Sequence, residues 1–252
     1  MRNVVRVRNV KLGEGIPKVA VPFVGSEDED IKKEISYLKT INFDLAEWRI
    51  DYYEYVENME KVQKILVQIR NILGDIPLIF TFRTAKEGGK KEITTEYYEK
   101  LERTVAATGN IDIVDIELST GNDEFIREMV DELHRYGVKV IISSHDFQKT
   151  PEKDELVSKM CKMQELGADL PKIAVMPSDA QDVLNLLTAT EEMTYYHYKT
   201  PVITISMGAL GIISRIAGET FGSAVTFGSA RTASAPGQLK ADELYKLLRF
   251  IR

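Results

Sequence analysis

Two apolar, β-branched runs, VKVIISSHDF at residues 138–147 and PKIAVMP at residues 171–177, flank a helical segment that ends at a glycine. Each run carries one reactive side chain, because His145 ends the first run and Lys172 lies inside the second. An ammonium group inside a buried strand is costly to keep away from water, so such a lysine tends to lose its proton and become a nucleophile. The pattern predicts a lysine that forms a Schiff base with a ketone and a histidine that moves protons beside it.

The same alternation of strand and helix extends in both directions from this stretch. Eight strand-like runs are each followed by a helical run, at residues 18–24, 43–50, 78–83, 111–118, 139–145, 169–176, 202–207 and 223–227. Strict alternation implies parallel strands with helical crossovers, and eight units in 252 residues favour an α/β fold of the closed (β/α)8 TIM-barrel type. An open doubly wound sheet is the alternative, but no glycine-rich phosphate loop follows the first strand.

The ends and joints of the chain add further expectations. Residues 4–10 form an extra strand-like run before the turn signal at 13–15, which predicts one arm of an N-terminal β-hairpin. No linker or repeat is visible, so residues 1–252 are expected to form a single barrel domain. Ser26 and Thr150 are expected to cap the helices that follow them.

Composition excludes several classes of protein. The formal net charge is -6 and no Lys/Arg cluster stands out, so nucleic acid is not an expected partner. Cys161 is the one cysteine, which rules out an intrachain disulfide and fits a reducing compartment. The first ten residues lack the apolar core of a signal peptide, and no run of about 18 apolar residues suggests a membrane span. We therefore expect a cytoplasmic protein with no membrane partner.

Polar residues spaced two apart recur at the ends of neighbouring predicted strands. They are Glu47 and Arg49, Thr81 and Arg83, Asp115 and Glu117, Ser143 and His145, with Lys172 on the sixth strand. Side chains alternate along a strand, so the two members of each pair share a face. If the apolar residues face the helices, these polar ones point into the barrel and converge near the carboxyl ends of the strands, where barrel enzymes have their active sites.

Structural alternatives stay open for each of these residues. Arg49 and Arg83 could simply neutralise neighbouring carboxylates, Lys172 could be an ion-paired core lysine, and His145 could act as a helix cap. A metal site formed by His145 and the two carboxylates of the 111–118 run is weakly supported, because no second histidine lies on a predicted strand.

Seven motifs then match one family in the same order. They are EWRID at 47–51, TFRTAKEGG at 81–89, VDIEL at 114–118, SHDF at 144–147, PKIAVMP at 171–177, SMGALGIISR at 206–215 and SAPGQ at 234–238. Over essentially its whole length the chain resembles the type I 3-dehydroquinate dehydratases. Ser144 and Ile205 depart from residues common in that family, and neither is expected to touch the chemistry.

The resemblance implies a lyase that dehydrates 3-dehydroquinate to 3-dehydroshikimate, the third step of the shikimate pathway, with no metal and no external cofactor. It implies that Lys172 forms the Schiff base, that His145 transfers protons and that Glu87 orients the imidazole. The implied substrate-binding residues are Glu47, Arg49, Arg83, Arg215, Ser234, Gln238 and Met207. The resemblance also implies a homodimer. The segment at 228–238 is small, polar and bounded by glycine and follows the eighth predicted strand, so it is expected to be a lid that orders over the ligand and excludes water, with an ordinary long loop as the alternative.

Two other functions remain as alternatives. A class I Schiff-base aldolase on the same barrel also needs a buried lysine on the sixth strand. Many such aldolases bind a phosphate, however, whereas Arg215 and the SAPGQ segment suit a carboxylate and hydroxyls better. A non-catalytic binding protein would be expected to have lost part of the charged set, which is complete in this chain.

Overall fold

The computed structural model describes residues 3–231 and 235–251. Its strands are β1 (Val5–Val7), β2 (Val10–Leu12), β3 (Lys18–Phe23), β4 (Leu45–Arg49), β5 (Leu78–Thr81), β6 (Ile113–Glu117), β7 (Lys139–Asp146), β8 (Leu170–Val175), β9 (Ile203–Ser206) and β10 (Val225–Phe227). The strands β3 to β10 pair in parallel in the order β10-β3-β4-β5-β6-β7-β8-β9. The predicted (β/α)8 barrel is confirmed; seven of the eight predicted runs contain one of its strands, and β7 extends one residue beyond the 139–145 run.

The seam between β9 and β10 is the thinnest part of the barrel. It is closed by a single parallel bridge between Val202 and Ser223 and by a hydrogen bond of 2.8 Å from the Ala224 N–H to the Val202 carbonyl. The Ser223 hydroxyl accepts the Thr204 N–H at 3.1 Å, so a side chain takes the place of a ladder bond. The barrel is therefore complete around the site that its strands carry.

Helices surround the barrel and cover its outer face. They are α1 (Asp28–Leu38), α2 (Met59–Leu73), α3 (Thr95–Ala107), α4 (Asp123–Arg135), α5 (Lys153–Glu165), α6 (Ala180–Tyr195), α7 (Ile212–Ile216), α8 (Gly218–Phe221) and α9 (Ala241–Phe250). In α4 the buried residues Ile126, Met129, Val130 and Leu133 recur at helical spacing, so one apolar stripe faces the strands. Of the helices in the described ranges, none is both long enough and apolar enough to cross a membrane.

The single helical run that is expected after the seventh predicted strand is instead two short helices, α7 and α8. A Cβ on Gly211 would lie 2.2 Å from the Ser206 carbonyl oxygen, so the glycine lets the chain turn back tightly against the end of β9. The helix α7 begins only after this turn, and α8 follows directly. This geometry places Arg215, near the end of α7, over the mouth of the barrel.

The N-terminal hairpin closes the bottom of the barrel. Its strands pair Val5 with Leu12 and Val7 with Val10, and these side chains join the apolar cluster of the barrel interior. The hairpin is confirmed, and the predicted turn at 13–15 is present and joins the hairpin to β3, but the 4–10 run is not one strand and contains the hairpin's own turn. The chain reverses at Arg8 and Asn9, where Arg8 has φ 50°. Burial of three apolar hairpin residues outweighs the cost of about 1–2 kcal/mol for one residue in the left-handed region.

The two expected helix caps are also wrong. The helix α1 begins after Glu27, and the carbonyl of Ser26 instead accepts the Glu54 N–H at 2.9 Å. The helix α5 begins after Glu152, while the Thr150 hydroxyl donates to the Met176 carbonyl at 3.0 Å. Both residues bond across to neighbouring strand ends, so tertiary contacts override the local signal.

Candidate active site

The polar residues of the neighbouring strands converge as the two-residue spacing predicts. Glu47, Arg49, Arg83, His145 and Lys172 line one pocket of about 540 Å³ at the carboxyl ends of the strands, and the other members of the set lie beneath it. Its walls include Glu47, Arg49, Arg83, Glu87, His145, Lys172, Met207, Arg215 and Gln238, together with Gly88, Phe147, Ala174, Ile205, Phe227 and Ala235. Nine of the ten predicted site residues therefore share this pocket. The tenth, Ser234, lies outside the described residues.

Lys172 lies deep in the pocket and is almost fully buried, with 4 % of its surface exposed. Its Nζ lies 2.8 Å from Oδ2 of Asp115 and 3.9 Å from Oε1 of Glu47. The ring centroid of Phe227 is 4.6 Å from the same nitrogen. The amine thus both faces the pocket and is ion-paired. The sequence leaves a reactive lysine and an ion-paired core lysine as alternatives, and Lys172 has the features of both. The ammonium must give up a proton before the nitrogen can attack a carbonyl.

Arg83 is the centre of a buried network beneath the pocket. Its Nη2 donates to Asp115 at 2.8 Å, and its Nη1 donates to Glu117 and to the Ser143 hydroxyl at 2.9 Å each. Burial alone would raise the pKa of Asp115, but the charges of Arg83 and Lys172 hold it well below its usual range. Asp115 therefore stays ionised as the shared counter-ion of two cations, and it is a poor acceptor for a proton from Lys172.

The imidazole of His145 is paired with the buried carboxylate of Glu87. Its Nδ1 lies 2.9 Å from Oε2 of Glu87, and its backbone N–H donates to the same oxygen at 3.1 Å. Burial lowers the pKa of His145 well below its usual value, and the charges of Arg83 and Lys172 act in the same direction. A neutral imidazole that donates its Nδ1–H to Glu87 has a lone pair on Nε2, which makes it a proton acceptor at neutral pH.

Glu87 is held in a loop that reaches across from the end of β5. Burial raises its pKa to about 7, against the opposing charge of Arg83 and the Ser119 hydroxyl, which donates to Oε1 at 2.6 Å. The next residue, Gly88, has φ 85°, and a Cβ there would lie 2.4 Å from the ring of Phe147. Glycine is thus required for the loop to pack against Phe147 at the mouth of the pocket.

Arg215 is a buried cation with a different environment from the other three. It is 1 % exposed, and it donates to the carbonyl oxygens of Phe227 at 3.3 Å and Pro236 at 2.9 Å. Its Nε has no partner, and no carboxylate pairs with it in the part of the chain that the structure describes. Burial lowers its pKa to about 10, so the guanidinium is still charged at neutral pH. Such a group favours an anionic ligand.

Some pocket residues are beyond what the sequence patterns indicated. Phe147, Phe227 and Ala235 have no predicted role, since a single aromatic or small residue after a strand carries no specific signal. The expectation that Ile205 lies apart from the chemistry is wrong, because it lines the same pocket as Lys172. No metal-binding group of three or more His, Cys, Asp or Glu side chains occurs within residues 3–231 and 235–251. Both carboxylates of β6 are instead bonded to Arg83.

The fold and this pocket define a (β/α)8-barrel enzyme with a buried lysine and histidine at the carboxyl ends of the strands. A sequence model of the family "Type I 3-dehydroquinase" matches residues 19–252. The chain belongs to the type I 3-dehydroquinase family.

Curated relatives and solved structures agree with this assignment. The chain is 61 % identical over 251 residues to a 3-dehydroquinate dehydratase of Clostridium kluyveri, covering 100 % of this chain and 98 % of that protein. It is 51 % identical to a protein of the same name from Clostridioides difficile, with the same coverage. The structure resembles a type I 3-dehydroquinate dehydratase from Clostridium difficile with covalently modified comenic acid, at a TM-score of 0.97, 50 % identity and coverage of 100 % and 98 % of the two chains.

The ion pair of Asp115 makes a testable contribution to stability. In Asp115→Asn the cations of Arg83 and Lys172 lose their shared carboxylate, so we expect the free energy of unfolding at pH 7 to fall by about 3–5 kcal/mol. The difference in the free energy of unfolding between the variant and the wild type should become smaller below about pH 4. The depressed pKa of Asp115 stabilises the folded protein only at pH values where the carboxyl of the unfolded chain is ionised. Urea unfolding across this pH range measures both effects.

Glu102→Gln is the matched control for that experiment. Glu102 is also fully buried, but neither of its carboxyl oxygens has a hydrogen-bond partner in the described part of the chain. Burial raises its pKa well above the usual value, so the neutral amide replaces a neutral acid and should cost little. Equal stability of the two variants would show that the Asp115 pair contributes nothing.

Proposed function

We propose that this chain dehydrates 3-dehydroquinate to 3-dehydroshikimate, with Lys172 as the nucleophile that forms the imine. The observation that carries the assignment is one pocket in which an ion-paired buried lysine, a neutral histidine and a buried arginine that has no carboxylate partner among the described residues meet. A ketone suits the lysine, and a substrate carboxylate suits Arg215. The family membership supports the same reaction, which belongs to aromatic amino-acid biosynthesis.

The neutral His145 would carry the protons in each step. It takes a proton from the Lys172 ammonium, the amine attacks the C3 carbonyl, and the imidazolium returns that proton to the hydroxyl that leaves the carbinolamine as water. The resulting iminium withdraws electrons from C2, and His145 removes a C2 proton. It then delivers this proton to the C1 hydroxyl, which leaves as a second water. Hydrolysis of the product imine restores the amine of Lys172 and releases the ketone.

The remaining site residues would position the substrate. Arg215 would bind its carboxylate, since a guanidinium matches a carboxylate with two parallel hydrogen bonds. Glu47, Arg49 and Arg83 would face its hydroxyls, with Ser234 and Gln238 completing the site from the loop after β10. Met207 would supply an apolar wall, and Glu87 would hold the tautomer of His145.

Three further proposals concern the whole protein. We infer that residues 1–252 act as one barrel domain, because every barrel strand packs against the same interior cluster or its covering helices. A cytoplasmic location fits a biosynthetic enzyme with a single cysteine. A homodimer rests on the family resemblance alone, and sedimentation velocity would give one boundary at about twice the chain mass if the dimer forms.

Borohydride trapping tests the nucleophile directly. After incubation with 3-dehydroquinate, reduction should leave a stable adduct that peptide mass mapping places on Lys172. Lys172→Ala should lose both the adduct and nearly all turnover. Lys139→Ala is the matched control, because Lys139 begins the adjacent strand β7 and pairs with Asp169 at the opposite end. An adduct on another lysine, or turnover retained by Lys172→Ala, would refute the assignment.

The pH dependence of turnover should report Glu87 rather than His145. Protonation of Glu87, whose pKa is raised to about 7, removes the negative charge that orients the imidazole. We therefore expect kcat/KM to fall about tenfold per pH unit below that point. Burial lowers the pKa of His145 well below its usual value, so it should add no second limb near neutrality.

Two variants separate the groups in this profile. Glu87→Gln keeps an oxygen acceptor but cannot titrate, so its profile should be lower at its maximum and flat across the region near pH 7. Ser119→Ala removes a hydrogen bond that lowers the Glu87 pKa and should move the limb to higher pH. An unchanged limb in Glu87→Gln would assign it to a different group.

Arg215→Ala tests the carboxylate site. We expect KM to rise at least about tenfold with a smaller change in kcat, because a hydrogen bond to a charged group contributes about 1.5–3 kcal/mol. Arg215→Lys keeps the charge but loses the paired geometry and should lie between the wild type and the alanine variant. Steady-state kinetics with unchanged KM in both variants would rule out Arg215 as the carboxylate ligand.

A further inference from the structure

Asp51 lies behind the pocket and touches two of its functional parts at once. It follows the end of β4 in a short turn, Ile50–Tyr52, and its side chain is completely buried. It does not line the pocket itself. A completely buried carboxylate is expensive unless its oxygens are fully bonded, so its partners show what it holds in place.

The first partner is the guanidinium of Arg49. Nε of Arg49 donates to Oδ1 of Asp51 and Nη2 donates to Oδ2, both at 2.8 Å. This paired geometry fixes the plane of the guanidinium. The ring of Tyr52 lies 5.2 Å from the Arg49 carbon Cζ and limits its movement on another side. Arg49 therefore reaches the pocket in one preset orientation.

The second partner belongs to the loop that carries Glu87. The backbone N–H of Lys90 donates to Oδ2 of Asp51 at 3.1 Å. The loop runs from Thr84 to Lys91, which form a bridge with each other at its base. Lys91 also bonds the chain beyond Asp51, because its Nζ donates to the Tyr53 carbonyl at 2.5 Å.

The opposite leg of the same loop is held by β6, the strand that pairs with β5. Glu117 accepts the Thr84 N–H at 2.8 Å and the Thr84 hydroxyl at 2.7 Å. The loop that carries Glu87 thus has a buried carboxylate at each leg, Glu117 on the side of β6 and Asp51 on the side of β4. Of these two, Asp51 alone also bonds a substrate-facing side chain of its own strand.

We propose that Asp51 is a positioning residue that sets both the Arg49 guanidinium and the Lys90 leg of the 84–91 loop, so that one buried carboxylate aligns the substrate-binding and the histidine-supporting parts of the site. The kinetic consequence rests on the proposed function, whereas the structural consequence does not. The first therefore needs turnover of 3-dehydroquinate, and the second can be measured on the free protein.

Asp51→Asn tests the action through Arg49. The amide keeps one oxygen for Nη2 and for the Lys90 N–H but places an NH2 group against Nε of Arg49. We expect KM to rise about tenfold with kcat changed by less than about threefold. In an Arg49→Ala background the same substitution should have no further effect on KM, since the interaction is already absent. Additive effects in the double variant would overturn the action through Arg49.

Amide hydrogen exchange of the free protein tests the action on the loop. Asp51→Ala removes the acceptor of the Lys90 N–H, so exchange at Lys90 should accelerate at least about tenfold, whereas Asp51→Asn should keep most of the protection. If Asp51→Ala does not fold, Asp51→Leu takes its place, because it fills the buried space without offering an acceptor to the Lys90 N–H. Unchanged protection of Lys90 in the folded variant that lacks the acceptor would overturn the clamp on the loop.

Asp112→Asn is the matched control for both measurements. Asp112 likewise accepts an arginine, Arg70 at 2.6 Å, and a backbone N–H, that of Leu78 at 2.8 Å, but it lies at the amino-terminal ends of the strands. The Asp112→Asn substitution should lower the melting temperature without changing KM or the amide exchange rate of Lys90. A KM increase in Asp112→Asn equal to that in Asp51→Asn would mean that loss of stability explains the effect. If the wild type does not turn over 3-dehydroquinate, the proposed function fails, and the exchange of Lys90 alone decides the role of Asp51.

Discussion

The site depends on one carboxylate, Asp115, which lies between two cations that are almost completely buried. Arg83, just after the end of β5, and Lys172, in β8, each approach it at 2.8 Å. Removing either a lone ammonium or a lone carboxylate from water would cost several kcal/mol, so the three charges are tolerated only together. Their mutual attraction fixes the depth at which Lys172 lies in the barrel. It also fixes the surroundings of two further carboxylates, because Glu117 pairs with Arg83 and Glu47 lies 3.9 Å from Nζ of Lys172.

The environment of Arg215 contrasts with the ion pairs that Arg83 and Lys172 form with Asp115. It is as deeply buried as the other cations, yet it bonds only backbone carbonyls in the residues described. A carbonyl oxygen partly solvates a guanidinium but does not neutralise it. Within residues 3–231 and 235–251, the positive charge of Arg215 at the mouth of the barrel thus lacks a neutralising carboxylate, whereas the charges at the bottom of the pocket are compensated. Such an arrangement draws an anion to one defined end of the site, which orients an asymmetric substrate before any covalent step.

How far the sequence predicts this structure depends on the range of the interactions involved. The two-residue spacing in Glu47 and Arg49 or in Asp115 and Glu117 is a local property of strands, so the face on which they lie was predictable. The eight-strand barrel then follows from alternation and length. The helix caps at Ser26 and Thr150 and the unbroken strand at residues 4–10 were mispredicted, because contacts distant in sequence decided them. For the same reason no spacing rule could indicate that Asp51 bonds Lys90, 39 residues further along the chain.

The pKa values of His145 and Glu87 change in opposite directions, because the charged form of one is a cation and that of the other is an anion. Burial disfavours any ion, so it lowers the pKa of His145 and raises that of Glu87 to about 7. Both changes favour a neutral pair, but only the Glu87 carboxylate has donors on every side, from the imidazole, a backbone N–H and Ser119. Those donors keep Glu87 ionised above neutrality while the imidazole stays uncharged. His145 is neutral before it reacts, so it can accept a proton, and the Glu87 carboxylate beside it then stabilises the imidazolium. The same histidine can therefore take and return protons within one pocket.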